Sequence, residues 1–257
     1  MRRILRHVPE ILILLFGVFV LLVGIADFPV FADEAIYIKW AQLARNDPES
    51  YAFLPMLDGK PPLHVWAISS TLPLFSDPLI AGRVVSVFFA LISVLILWRL
   101  SIEFKLQAWS TRFVMLMGFF TPYLFHIHRL SLAESMLGAL FLGSFLFVFR
   151  LTKKQDILSL ICLSICFGGA LWIKTTALFF ILPLLATWWF WRSSYRSALW
   201  IGIGLAGGLS LFGLLATIPL FPSLFSRSTD YTFTVMELLR GEWRYVLFSS
   251  IPRVMFW

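Results

Sequence analysis

Charge is what this chain has least of. Asp, Glu, Lys and Arg make up 14% of its 257 residues, against 60% hydrophobic ones, where soluble domains carry about 25% charged and roughly 45–50% apolar residues. Such a balance excludes a water-soluble globular fold and leaves a polytopic membrane protein. Cysteine is scarcer still: Cys162 and Cys166 stand one helical turn apart in an apolar run, a setting for small buried side chains rather than for a disulfide or a thiolate metal site. Internal repeats, low-complexity tracts and a soluble domain are all lacking. Acidic residues are outnumbered, 14 to 21. The basic ones stand at the ends of apolar runs instead of gathering on one face, which argues against nucleic acid as a partner and marks membrane topology.

Read in order, the chain alternates apolar runs with short polar turns. Arg2, Arg3 and Arg6 precede the run Ile11–Ala26, which fits a first helix entering from the cytoplasm. A cleaved signal peptide is the alternative, with Gly24-Ile25-Ala26 as the small-residue site. Residues 27–78 then form a first external loop. Within it Asp33 is placed to cap a short helix with Ile36, Trp40 and Leu43 on its apolar face, stopped by Asn46-Asp47-Pro48. This helix is expected to lie along the interface, and the run Leu63–Leu74 makes a second short helix, interfacial or re-entrant. Spans follow at Leu79–Leu100, Phe113–Phe125, Ser135–Phe149, Ile157–Ile173, Ala177–Trp191 and Ala198–Leu220, with a later external loop over 221–250. The expectation is an all-α bundle of about seven transmembrane spans, one domain over 1–257. Arg99, Lys105, Arg112, Lys153, Lys154, Arg192 and Arg196 then all fall on the cytoplasmic side.

This topology brings three external turns to one face. The first supplies Asp33, Glu34, Lys39, Asp58 and Lys60, the second His126, His128, Arg129 and Glu134, the third Lys174. Ionisable groups at a bilayer boundary are expensive unless paired or solvated, so their convergence points to a site. Carboxylates facing several cations suit an anionic substrate attacked by a base-activated hydroxyl or amine. Structural roles compete with that reading. Asp33 suits a helix cap and Glu34 a complement to the helix dipole, while Lys60, Arg129, Glu134 and Lys174 suit the flanks of spans. His126 and His128, two apart, do not share a helical face and have no third ligand nearby in sequence. Asp33 and Glu34 alone do not establish a divalent metal site, so no metal or other cofactor is assigned.

The order of these motifs resembles the polytopic glycosyltransferases of the GT-C fold, in particular the bacterial relatives of protein O-mannosyltransferases and the lipid A aminoarabinose transferase. The resemblance rests on Asp33-Glu34 after the first span, Lys60-Pro61-Pro62-Leu63, and Ala81-Gly82-Arg83-Val84-Val85-Ser86. It continues through His128-Arg129-Leu130-Ser131-Leu132-Ala133-Glu134 and Gly168-Gly169-Ala170-Leu171-Trp172-Ile173-Lys174. It implies transfer of a sugar from a polyprenyl-phosphate donor, with inversion, to a lipid, glycan or protein acceptor outside the cytoplasm. Implied roles are catalytic for Asp33, Glu34 and Glu134, with Asp33 as the base, and substrate-binding for Lys60, Arg129, Lys174 and His128. The implied location is a bacterial inner membrane, with the active site on its periplasmic face. Relatives continue through further helices, so a C-terminal part of the family is expected to be missing here. The rival classes are a lipid or solute transporter or flippase, and a non-catalytic membrane scaffold.

Overall fold

The computed structural model describes residues 7–191 and 194–226, with positions 236, 240 and 241, and among these residues the chain is helical with no strand. Helix α1 covers Val8–Leu22 and α2 Ala32–Asn46; α3 is Leu63–Thr71, α4 Pro78–Glu103, α5 Ala108–Phe120 and α6 Pro122–His128. Next come α7 (Ala133–Lys153), α8 (Ile157–Leu171), α9 (Ile181–Phe190) and α10 (Tyr195–Gly213). The terminal Arg2, Arg3 and Arg6, Arg192, most of the expected 221–250 loop and Ile251–Trp257 lie outside the described residues.

Each expected span has a helix in its place. Three of them are long and apolar enough to cross a membrane: α4, α7, and α10 with its continuation to Thr217. Helices α1 and α8 and the stretch Thr175–Phe190 are apolar but shorter. The expected span Phe113–Phe125 is divided, because α5 stops at Phe120 and α6 starts at Pro122. A proline cannot donate to the preceding turn and pushes the residue before it out of the helical region, and Thr121 is extended accordingly, with ψ 126°.

Helix α4 sits between two packed groups. On one side Val87, Ala90 and Val94 meet Leu14 and Leu21 of α1 and Met115 and Phe119 of α5. On another, Val85 packs with Tyr37 and Ala41 of α2 and Val65 and Ile68 of α3. The second core joins α7, α8 and α10 through Val148, Leu163, Phe167, Ile201 and Leu205. There α8 and α10 cross closely: a Cβ on Gly208 would lie 2.7 Å from the Phe167 ring and 3.0 Å from the Gly168 nitrogen. Small residues allow backbones to approach in this way, and in a lipid environment that contact, rather than water exclusion, holds helices together.

Helix α2 corrects the sequence reading in two respects. Asp33 does not cap it; Phe31 is the cap and Asp33 the second helical residue. The buried face is Glu34, Tyr37, Ile38, Ala41 and Ala44, whereas Ile36 is exposed. The helix is thus turned away from its apolar stripe so that the Glu34 carboxylate points inward, toward a charge on α4 described below.

Candidate active site

Four of the expected site residues meet as two lysine–carboxylate pairs beside α2 and α3. Lys60 Nζ lies 3.1 Å from Asp33 Oδ1 and 3.3 Å from Asp58 Oδ2. Lys174 donates to Glu134 Oε1. All five side chains keep contact with solvent, Asp33 most, at 48% exposed. The local sequence explains the first pair. The turn Leu54–Asp58 ends on Gly59, whose φ of 71° is left-handed and favours glycine. This reversal lets the Lys60 N–H bond the Pro55 carbonyl at 3.1 Å and returns its side chain to Asp58 and Asp33. The second pair joins the first turn of α7 to the residue that caps the Thr175–Phe180 turn.

Tyr37 and His64 lie between the pairs. Their rings meet edge to face at 5.1 Å, and Lys60 Nζ stands 4.8 Å from the centre of the Tyr37 ring. Burial, then the negative charges of Asp33, Glu134 and Asp58, hold the Tyr37 hydroxyl protonated well above its ordinary range. Burial likewise pushes His64 down to about 4, while Glu134 and Lys174 act on it in opposite directions. Charges of both pairs thus act on these two rings: Asp33, Asp58 and Glu134 on Tyr37, Glu134 and Lys174 on His64. The Leu63 N–H to Trp172 carbonyl bond, 3.1 Å, ties the start of α3 to the end of α8.

The His64 environment sets a pH dependence. Unfolded, its proton is retained below about pH 6.5, whereas the folded protein takes it up only near pH 4. Between those values the unfolded state binds more protons, so stability rises with pH. Acidification from pH 7 to pH 4 is expected to remove up to roughly 3 kcal/mol through this residue. Thermal melts across that range should show a flatter acid limb in His64→Phe, which keeps a ring against Tyr37; an unaltered limb would assign the acid sensitivity elsewhere.

Glu34, next to Asp33 in sequence, faces the opposite way. Both it and Arg83 are fully buried. Arg83 Nε and Nη2 donate to the two carboxylate oxygens at 2.8 Å each, and the Ser131 and Phe31 N–H groups add bonds of 2.7 and 3.3 Å. The remaining Arg83 donors reach the carbonyls of Ile25, Phe28 and Pro29. This network fastens the 25–34 segment, α4 and the 129–132 turn together, and so sets the position of Asp33. Both Glu34 oxygens, expected to form an acidic pair with Asp33, are thus occupied inside the fold. Gly82 permits the arrangement, since a Cβ there would lie 2.4 Å from Ser131 Oγ.

Two further residues expected at the substrate are held in contacts inside the fold. Arg129, expected to bind substrate, is buried and donates through Nη2 to the Val23 and Gly24 carbonyls at 2.6 and 2.9 Å, with Phe28 under its guanidinium at 4.3 Å. It thereby ties the 129–132 turn to the chain just after α1. His128, also expected at the substrate, is buried between Ser135 Oγ at 2.9 Å and the Gly118 carbonyl at 3.3 Å. Both ring nitrogens are in use, and desolvation lowers its pKa. Lys39 lies apart, lining an outer cavity with Gln42 and Arg45, and His126 meets the edge of Phe28. Among the described residues no three His, Cys, Asp or Glu side chains converge as a metal site would require.

Sequence reasoning gave Arg83, Tyr37 and His64 no individual role. For Arg83 a signal was present, a cation inside an apolar run, which must find a buried partner. Tyr37 and His64 carry no such signal, since a lone aromatic or histidine on a short helix is unremarkable by spacing. Beside Glu134 an apolar cavity of about 190 Å³ passes Tyr123, Gly138 and Phe141.

The profile of a family described as dolichyl-phosphate-mannose-protein mannosyltransferase matches residues 59–222. That range contains Lys60, Arg83, Glu134 and Lys174, while Asp33 and Glu34 precede it. No curated protein and no solved structure matches the chain.

Proposed function

The chain belongs to the dolichyl-phosphate-mannose-protein mannosyltransferase family and is a membrane glycosyltransferase, and from that premise we propose how its two lysine–carboxylate pairs handle a polyprenyl-phosphate-linked sugar. Their placement around Tyr37 and His64 is the observation that carries the reading. Before the donor binds, Asp33 and Asp58 share Lys60. A donor phosphate competes for that ammonium, and as Lys60 turns to it Asp33 is left unpaired beside the anomeric carbon. The acceptor oxygen or nitrogen then attacks, Asp33 takes its proton, and the bond from the anomeric carbon to the phosphate oxygen breaks on the opposite face, with inversion. Charge growing on the departing phosphate is met by Lys60 and Lys174, fixed cations in a partly desolvated site.

Further features support this reading. The cavity beside Glu134, of about 190 Å³, is lined mostly by apolar side chains, suited to the start of an isoprenoid chain, and a Cβ on Gly138 would meet nothing within 4 Å. Keeping the lipid chain in the bilayer while its headgroup meets a water-borne acceptor accounts for a polytopic catalyst. In this reading 1–257 is a single transmembrane unit of GT-C type, with about seven spans and with α2 and α3 at the interface. The basic turns then face the cytoplasm and the site faces the periplasm of a bacterial inner membrane.

Binding of a labelled polyprenyl-phosphate hexose to the purified chain tests the assignment of Lys60. A charge-assisted hydrogen bond contributes about 1.5–3 kcal/mol, so Lys60→Gln is expected to weaken donor binding by roughly tenfold or more while affinity for the polyprenyl alcohol lacking phosphate stays the same. Equal loss for both ligands would mean that Lys60 shapes the site and does not contact phosphate.

A further inference from the structure

The opposite end of the bundle holds a cavity of about 550 Å³ between the first turns of α1 and α5 and the last turns of α4. His7, Glu10, Trp98, Lys105, Thr111 and Arg112 line it. Glu10 is only 4% exposed. One of its oxygens, Oε1, accepts from Arg112 Nε at 2.9 Å. The other, Oε2, is buried and has no hydrogen-bond partner among the described residues; His7 Nδ1 lies 3.9 Å away, beyond hydrogen-bond reach. A buried carboxylate oxygen in that condition calls for a donor. Lys105 and Arg112 outnumber Glu10, so the cavity carries one positive charge in excess before His7 is counted. Ile102 and Leu106 of its lining are exposed apolar side chains, and Trp109, next in sequence to the lining residue Ala108, is exposed as well, an aromatic of the type that settles at the headgroup level.

We propose that this cavity binds the headgroup of an anionic glycerophospholipid whose terminal group carries hydroxyls, phosphatidylglycerol being the simplest. The phosphodiester satisfies Lys105 and Arg112 and balances the excess charge; a glycerol hydroxyl donates to Glu10 Oε2; the acyl chains run along the exposed apolar faces of α1 and α4. A choline headgroup has no donor to offer Glu10, and a free phosphate has no acyl chains for the apolar faces beside the cavity. This site is separate from Lys60 and Lys174, and its test does not depend on any transfer reaction.

The purified chain in detergent is titrated with short-chain phosphatidylglycerol, phosphatidylcholine, phosphatidylmethanol and glycerol 3-phosphate, and bound molecules are counted by native mass spectrometry. Phosphatidylglycerol should bind at least about five-fold more tightly than phosphatidylcholine, and Lys105→Gln should remove about five-fold of its affinity, the effect of one basic residue near a lipid phosphate. Phosphatidylmethanol, of equal charge but without the hydroxyls, should bind more weakly than phosphatidylglycerol. Lys105→Gln leaves the Glu10–Arg112 pair in place, and an unchanged melting temperature confirms its fold. Equal binding of phosphatidylglycerol and phosphatidylcholine, an undiminished preference in Lys105→Gln, or equal binding of phosphatidylmethanol would each overturn the proposal. So would glycerol 3-phosphate binding as tightly as the lipid.

Discussion

Asp33→Asn is expected to lower the rate of sugar transfer by about 10²–10⁴-fold, the range that a positioned general base contributes, with little change in donor affinity or in melting temperature. Three features support so specific an effect. Asn has the size of Asp and keeps an oxygen for Lys60. The pair it replaces is solvent-exposed on the Asp33 side, and exposed pairs contribute only about 0.2–1 kcal/mol to stability. The backbone of α2 is held by the neighbouring Glu34 and not by Asp33. Initial rates over a range of donor concentrations separate the cases: a fall in kcat at constant KM is the signature of a lost base. A rate within a few-fold of wild type would shift that role to Glu134, whose carboxylate lies beside Lys174.

The second large effect is on folding. Arg83→Met leaves a buried carboxylate with backbone donors alone and strips three carbonyls of a partner they all share. Removing one member of a buried ion pair costs about 3–5 kcal/mol, a large part of the roughly 5–15 kcal/mol by which domains are stable. The variant should therefore melt far below wild type in detergent, or fail to accumulate. Lys at 83 should rescue little, because one ammonium cannot reproduce the two parallel bonds to Glu34 together with those to Ile25, Phe28 and Pro29. The double variant Arg83→Met with Glu34→Leu removes the stranded charge and should regain part of the loss. A wild-type melting temperature in Arg83→Met alone would mean that the network does not hold the site.

These two residues also mark how far the sequence could be read. The alternation of apolar runs with basic turns places Asp33, Lys60, Glu134 and Lys174 at one end of the bundle, and there they pair. That much depends on long-period pattern. Partner choice does not: Arg129, Glu34 and His128 are as polar in sequence as Lys60, yet each turns inward to a carbonyl, a guanidinium or a hydroxyl brought near only by the packed helices. The face of α2 was misjudged for the same reason. Ile36, Trp40 and Leu43 form an apolar stripe, but one buried Glu34–Arg83 pair outweighs a stripe of half-exposed side chains and sets the rotation of the helix. The break at Thr121 is legible in Pro122, although the apolar run continues across it.

The most direct test of the central claim is chemical cleavage of the donor. Membranes containing the wild-type chain or Asp33→Asn are given a polyprenyl-phosphate hexose labelled in the lipid, and free polyprenyl phosphate is measured with time. Release by wild type and not by the variant is the result predicted here. If the folded, inserted wild type leaves the sugar–phosphate bond intact while the labelled donor changes leaflets, the protein moves the lipid without reacting it, and the transferase account is wrong.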